Sequence, residues 1–144
     1  MDQQFIQNAL KLLPQFHRIF IHPLNAMARD TVSPSQLRVL FMLENVPSKT
    51  MSCIAAQMEI PKQQLTRIID GLVESGLVER LADVKDRRKT AIHITPAALS
   101  YLDDLRKRMV DAHCRQFACF TEDELTHLNT AVLEIQRLLS RLDA

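Results

Sequence analysis

Glycine is almost missing from this chain: only Gly71 and Gly76 occur in 144 residues, and both lie within one short stretch. A sandwich of many short strands needs glycine-bearing turns along its whole length, so an all-β fold is excluded. The same shortage excludes a Walker loop and a dinucleotide fingerprint, which need glycines at fixed spacing. Tryptophan is absent, aromatic residues make up 5%, and the charges nearly cancel, with 18 Lys plus Arg against 17 Asp plus Glu. A net charge of +1 points to neither nucleic acid nor membrane, so any case for DNA must come from where the charges sit. No apolar run approaches the ~20 residues that cross a bilayer, and the opening segment interrupts its apolar residues with Gln, Asn and Lys. A cytoplasmic protein without a membrane partner is expected. Cys53, Cys114 and Cys119 are an odd count at no zinc-finger spacing, which argues for reduced, buried thiols rather than a disulfide framework.

What is present is helix. Hydrophobic residues reach 47%, enough for the core of one ordinary domain. Ile6, Leu10, Leu13, Phe16, Phe20, Leu24 and Met27 recur at three-and-four spacing, which predicts one long first helix with a kink or break at Pro14, Pro23 or both. Ser33, Pro34 and Gln36 spell a cap, a proline at the first helical position and a reciprocal partner, so a second helix starts there and runs to about Asn45. A turn over Val46–Lys49 leads to a short helix capped by Thr50. Pro61 opens another helix whose Leu65, Ile68, Ile69, Leu72 and Val73 form a core face, while Lys62, Gln63, Gln64, Thr66, Arg67 and Asp70 form a polar, hydrogen-bonding face. Gly76 ends it as a left-handed cap. Leu77–Leu81 and Thr90–Thr95 then alternate as paired strands around a tip, Ala82–Lys89, that holds Lys85, Arg87, Arg88 and Lys89. Thr95-Pro96 starts a long helix to about Ala118. Thr121 to Glu124 is a capping box for a last helix whose Leu125, Leu128, Val132, Ile135, Leu139 and Leu142 make a lengthwise seam.

A helix, a short helix, a helix with a polar reading face and a hairpin with a basic tip are, in that order, a winged helix-turn-helix. The fold class is therefore mainly α with a small two- or three-stranded antiparallel wing. Over Leu65–Arg80, Asp83–Lys89 and Ile92–Thr95, with Asp86-Arg87-Arg88 matching a wing signature, the sequence resembles the multiple-antibiotic-resistance regulator (MarR) family of transcription factors. The resemblance implies one domain over 1–144. In it, 1–32 and 96–144 are long terminal dimerisation helices and 33–95 is the DNA-binding lobe. It further implies a homodimer that straddles double-stranded DNA at a pseudo-palindromic operator, usually as a repressor. Such a repressor is released when a small aromatic or phenolic effector enters a crevice between the two regions. Independently, the last helix carries more apolar surface than a monomer of this size conveniently buries, which favours association.

In isolation the polar helix face would be read as merely solvated; followed by this wing it reads as a DNA contact. Gln63, Gln64 and Arg67 are then expected at base edges, with Lys62 and Thr66 on phosphates. At the tip, Lys85, Arg87, Arg88 and Lys89 are the DNA-binding cations. Asp86 stabilises the wing by pairing with one neighbouring arginine, and the family pattern favours Arg88 as the one left free for the minor groove. Residues 33–95 hold nine Lys plus Arg against seven Asp plus Glu, a small excess that predicts modest, salt-sensitive affinity. Phe16, His17, Phe20, Arg38 and Phe41 are the candidates for the effector crevice, although aromatic residues are more often core. No cofactor, metal site or catalytic constellation is expected, because no two histidines share the i, i+4 spacing of a helical metal pair and no nucleophile has a base beside it. Two alternatives stand beside the regulator: a winged helix kept only for protein contacts, and a regulator responsive to thiol oxidation. The second is weakened because the family's peroxide sensors carry their cysteine near the start, and this chain has none before Cys53.

Overall fold

The computed structural model describes residues 3–142. They form α1 (Gln3–Phe16), a π turn (His17–Ile21), α2 (His22–Ala28), α3 (Pro34–Leu43), β1 (Lys49–Thr50), α4 (Met51–Met58) and α5 (Lys62–Glu74). There follow β2 (Val78–Ala82), β3 (Thr90–Ile94), α6 (Pro96–Phe117), α7 (Glu122–Leu139) and a closing 3-10 turn (Ser140–Leu142). The fold is mostly helical with one three-stranded antiparallel sheet in the order β1-β3-β2. The chain divides into two compact units, one ending at Met109 and the other beginning at Val110.

Short-range side-chain chemistry starts four of the helices. Ser33 Oγ accepts the Gln36 amide at 3.2 Å while Gln36 Oε1 accepts the Ser33 amide at 2.9 Å. Thr121 and Glu124 repeat this reciprocal box at 3.2 and 2.8 Å. Thr50 Oγ1 accepts the Cys53 amide and Thr95 Oγ1 the Ala98 amide, each at 3.2 Å. Each cap satisfies an amide the helix itself cannot, and contributes about 1 kcal/mol. α5 ends at Gly76, whose φ of 73° is the left-handed conformation that lets Leu77 donate back to Leu72 O at 2.9 Å. α4 ends in the same way at Glu59, φ 55°, with Ile60 donating to Ala55 O at 3.1 Å. A non-glycine residue adopts this conformation at a steric cost, and its side chain gave no sign of the cap.

The expected interruption of the first helix falls at one of its two prolines. Pro14 sits within α1 without ending it, whereas Pro23 stands at the start of α2 behind the π turn. Proline lacks an amide proton and crowds the carbonyl four residues back, and the i to i+5 bond from the His22 amide to His17 O relieves that crowding. The apolar stripe divides at the same place. Leu24 and Met27 pack on the core, whereas Phe5, Ile6, Leu10, Leu13 and Phe16 are exposed.

The core of the first unit gathers Leu37, Leu40 and Leu43 of α3, Ile54 of α4, Leu65, Ile69 and Leu72 of α5, Ile92 of β3, and Leu102 and Leu105 of α6. Val73, expected in this core, lies at its rim and is exposed. The Thr95 hydroxyl donates to Gly76 O at 2.8 Å and its amide to Leu77 O at 3.1 Å, tying the start of α6 to the turn between α5 and β2. In the second unit α7 buries no residue, and its seam from Leu125 to Leu142 is 39–79% exposed.

Candidate nucleic-acid interface

Burial of Leu65, Ile69 and Leu72 fixes which way α5 faces. Lys62, Gln63, Gln64, Thr66, Arg67 and Asp70 are consequently all exposed. Among the described residues, the side chains of Lys62, Gln63, Gln64 and Arg67 make no hydrogen bond or ion pair. Amide groups and a guanidinium presented in this way match the acceptor and donor edges of bases in a major groove, which is wide enough to admit one helix. No side chain caps the helix at Pro61, so the amides of its first turn also point outward. Thr66 departs from the expected pattern, because its hydroxyl donates to Lys62 O at 2.9 Å. The proton it would offer to a phosphate is already used in the helix.

Arg80 of β2 joins this helix to the wing. Its Nη2 donates to Asp70 Oδ1 and, at 3.4 Å, to Thr66 O. The tip beyond β2 is a tight turn: Asp83 N donates to Lys89 O and Lys89 N to Asp86 O, both at 2.9 Å, with Arg87 and Arg88 at the corner. Asp83 accepts the Asp86 amide at 3.1 Å, which closes the turn from within. Asp86 in turn takes Arg88, through Nε and the backbone amide at 3.1 Å each and through Nη2 at 3.4 Å. Arg88, expected to be left free, is therefore the arginine that pairs with Asp86, although its side chain stays 91% exposed, and Arg87 makes no ion pair among the described residues. A local reason exists, since an aspartate in a turn faces the amide two residues on, and the side chain of that residue follows its amide. The Arg88 guanidinium, then the Arg88 amide, then the charge of Lys89 hold the Asp86 carboxyl below the usual carboxylate range. Lys85, Arg87 and Lys89 are exposed and unpaired.

A reading helix buttressed by a three-stranded sheet with a cationic tip occupies residues 34–94, and the model of the MarR family matches residues 30–89. The winged-helix lobe of this chain thus matches the MarR family. The relatives it matches are named transcription regulators and repressors, and that is not an enzyme class. Among MarR-like relatives it is similar to the HTH-type transcriptional repressor MdtR of Bacillus subtilis (strain 168), 28% identical over 124 residues that span 86% of this chain and 80% of the relative. It is similar also to the homoprotocatechuate degradative operon repressor of Escherichia coli, 28% identical over 103 residues spanning 69% of this chain and 70% of that one. Of solved structures, the YusO protein from Bacillus subtilis aligns over 94% of this chain and 96% of its own at 26% identity, with a TM-score of 0.66.

The five residues expected to line a MarR-type effector crevice lie on α1, the π turn and α3. Phe16 and Phe20 stack with ring centroids 4.9 Å apart. Arg38 donates to Gln57 O at 3.5 Å, and Phe41 lies under the Arg106 guanidinium, 5.6 Å from ring centre to Cζ. Glu44 holds that guanidinium as an ion pair and raises its already high pKa. Only His17 lines the open cavity of about 600 Å³ found nearby, together with His22, Asn25, Arg29 and the Ser33–Gln36 cap of α3. The π turn explains the pairing of His17 with His22, since five residues make one π turn but overshoot one α turn. Sequence spacing treated the two as lying on different faces.

The cysteines also differ from expectation. Cys53 is half-buried, but Cys114 and Cys119 are exposed. Among the described residues, no three His, Cys, Asp or Glu side chains gather as a metal site. No described helix is long and apolar enough to cross a membrane.

Proposed function

We propose that this chain acts as a homodimeric, sequence-specific repressor of transcription of the MarR type, in which two copies read a pseudo-palindromic operator. The observation that carries the reading is the unpaired, outward row of Gln63, Gln64 and Arg67 on the same lobe as the free cations Lys85, Arg87 and Lys89. Base edges are read by the row, phosphates by Lys62, and the minor groove by Arg87, while Arg88 keeps the tip in shape through Asp86. Thr66 serves the helix more than the phosphates. Association is supported by the exposed apolar residues of α1 and of α7. These residues belong to the terminal dimerisation regions 1–32 and 96–144, and 33–95 supplies the reading lobe.

Release by a small aromatic or phenolic acid is supported by the cavity at His17, His22 and Arg29, whose lining includes cationic or neutral donors and no carboxylate. The relative in Escherichia coli is named for an operon that degrades a phenolic acid, which fits that ligand class. Binding would shift the balance between lobe spacings that do and do not suit DNA, the competent one placing the two reading helices about 34 Å apart.

The test is fluorescence anisotropy with the duplex upstream of the chain's own gene, titrated in salt. Gln64→Ala is expected to alter sequence preference at similar affinity, and Lys62→Ala to weaken binding to all sequences alike with a salt slope shallower by about one. Unchanged profiles for both variants would remove the assignment, and a wild-type protein without salt-sensitive binding would favour a protein-contact module. The exposure of Cys114 and Cys119 favours one second reading, release by thiol oxidation. It expects peroxide to abolish DNA binding in the wild type and to spare a Cys114→Ser, Cys119→Ser variant.

A further inference from the structure

Asp70 is anomalous in a DNA-reading helix. It lies two turns after Gln63 and one turn after Thr66 and Arg67, in the middle of the outward face and opposite Leu65, Ile69 and Leu72. A carboxylate only accepts hydrogen bonds, so it gains nothing from phosphates and is repelled by them. Among the described residues it forms an ion pair with Arg80, which reaches across from β2. The side chains of the pair are 58% and 32% exposed respectively. Ion pairs so open to solvent contribute little to folding, so a brace is a poor reason for the arrangement. The Arg80 guanidinium also holds Thr66 O, the carbonyl one turn before Asp70, which fixes it along the helix, and it meets Asp70 through Oδ1, so that Oδ2 has no hydrogen-bond partner among the described residues.

We infer that Asp70 is a base-reading acceptor for an exocyclic amine, as on cytosine or adenine, and that Arg80 is its positioning residue, cancelling its charge toward the phosphates. The inference rests on the DNA-binding reading above. Its chemistry is that of the major groove, where cytosine N4 and adenine N6 are the amino donors and a neutralised carboxylate accepts from them without a charge penalty. Arg80 acts through Asp70 and touches no base.

The test is a double-mutant cycle on the duplex that the wild type selects from a randomised pool, read by anisotropy at fixed salt, with thermal melting of each free protein as the control for folding. Arg80→Ala exposes the bare carboxylate and is expected to weaken binding about fivefold or more, fivefold being the size of one like-charge contact at roughly 4 Å in water-like surroundings. Asp70→Asn is expected to stay within about threefold of wild type, and a second selection with it should relax the preference at one base pair in each half-site. The double variant should regain what Arg80→Ala lost. Arg80→Gln replaces Arg80→Ala, with the same expectation, should the alanine variant fail to fold. Loss by Asp70→Asn equal to that by Arg80→Ala would reduce the pair to a brace and overturn the inference. A double variant as weak as Arg80→Ala, with a salt slope shallower by about one, would make Arg80 a phosphate ligand instead. An Asp70→Asn protein that selects the wild-type sequence unchanged would show that Asp70 reads nothing. A wild type that selects no sequence from the pool would fail earlier, at the DNA-binding reading itself.

Discussion

Replacing Gly71 by Ala measures how closely the reading helix is held against the cap of α3. A Cβ at this position would stand 2.5 Å from Gln36 Nε2, so the amide has to swing aside. It cannot do so freely, because Gln36 Oε1 accepts the Ser33 amide at 2.9 Å. Losing that arm of the capping box costs about 1 kcal/mol. Alanine in a helix interior recovers about as much relative to glycine. Gly71→Ala alone is therefore expected to leave stability within about 0.5 kcal/mol of the parent. In a Gln36→Ala background both the obstruction and the arm are gone, and the same substitution should stabilise by about 1 kcal/mol. The coupling between the two positions is then about 1 kcal/mol. Urea denaturation followed by far-ultraviolet circular dichroism measures it, at one fixed protein concentration because association raises apparent stability. Equal gains in both backgrounds would mean that Gln36 moves without cost, and the reasoning would be wrong.

The Tyr101 hydroxyl is buried without a hydrogen-bond partner. Tyr101→Phe should therefore stabilise by about 1 kcal/mol, roughly 3 °C in Tm for a chain of this size, and a lower Tm would contradict it. Asp86 has its carboxyl lowered in the folded protein, so its contribution to wing order is complete above the ordinary aspartate value near 3.9 and fades as pH falls through the lowered value. The amide resonance of Arg88 should accordingly keep its wing position at pH 5 and lose it only below about 4, whereas in Asp86→Asn it should be displaced at every pH. Val132→Glu puts a charge in the exposed seam of α7, and sedimentation should show dimer dissociation easier by about a hundredfold or more. A variant as dimeric as the wild type would place the interface elsewhere.

Most of the lobe was legible because its determinants are local. The caps at Ser33, Thr50, Thr95 and Thr121 each join a side chain to an amide three residues on, a distance that spacing alone fixes. The polar face of α5 followed in the same way from the positions of Leu65, Ile69 and Leu72. Strand β1 was read as a turn because two residues, Lys49 and Thr50, are strand only through pairing with Ile92 and Ala91, far along the chain. The clamp of Arg80 on Asp70 escaped for the same reason. The choice between Arg87 and Arg88 turned on the direction of one turn, and two neighbouring arginines spell it identically. Helical spacing counted through His17–Ile21, where it does not hold, separated His17 from His22, which line one cavity.

That π turn carries one residue more than the α-helix around it, and its effect is angular. Each residue advances an α-helix by about 100°, so the surplus rotates the chain before His17 by roughly that much relative to α2. Deleting a single residue between His17 and Ile21 would return the segment to regular winding and swing the whole apolar side of α1 to a new azimuth, while α2 stayed seated on the core. Length, more than side-chain identity, is what this junction has to keep.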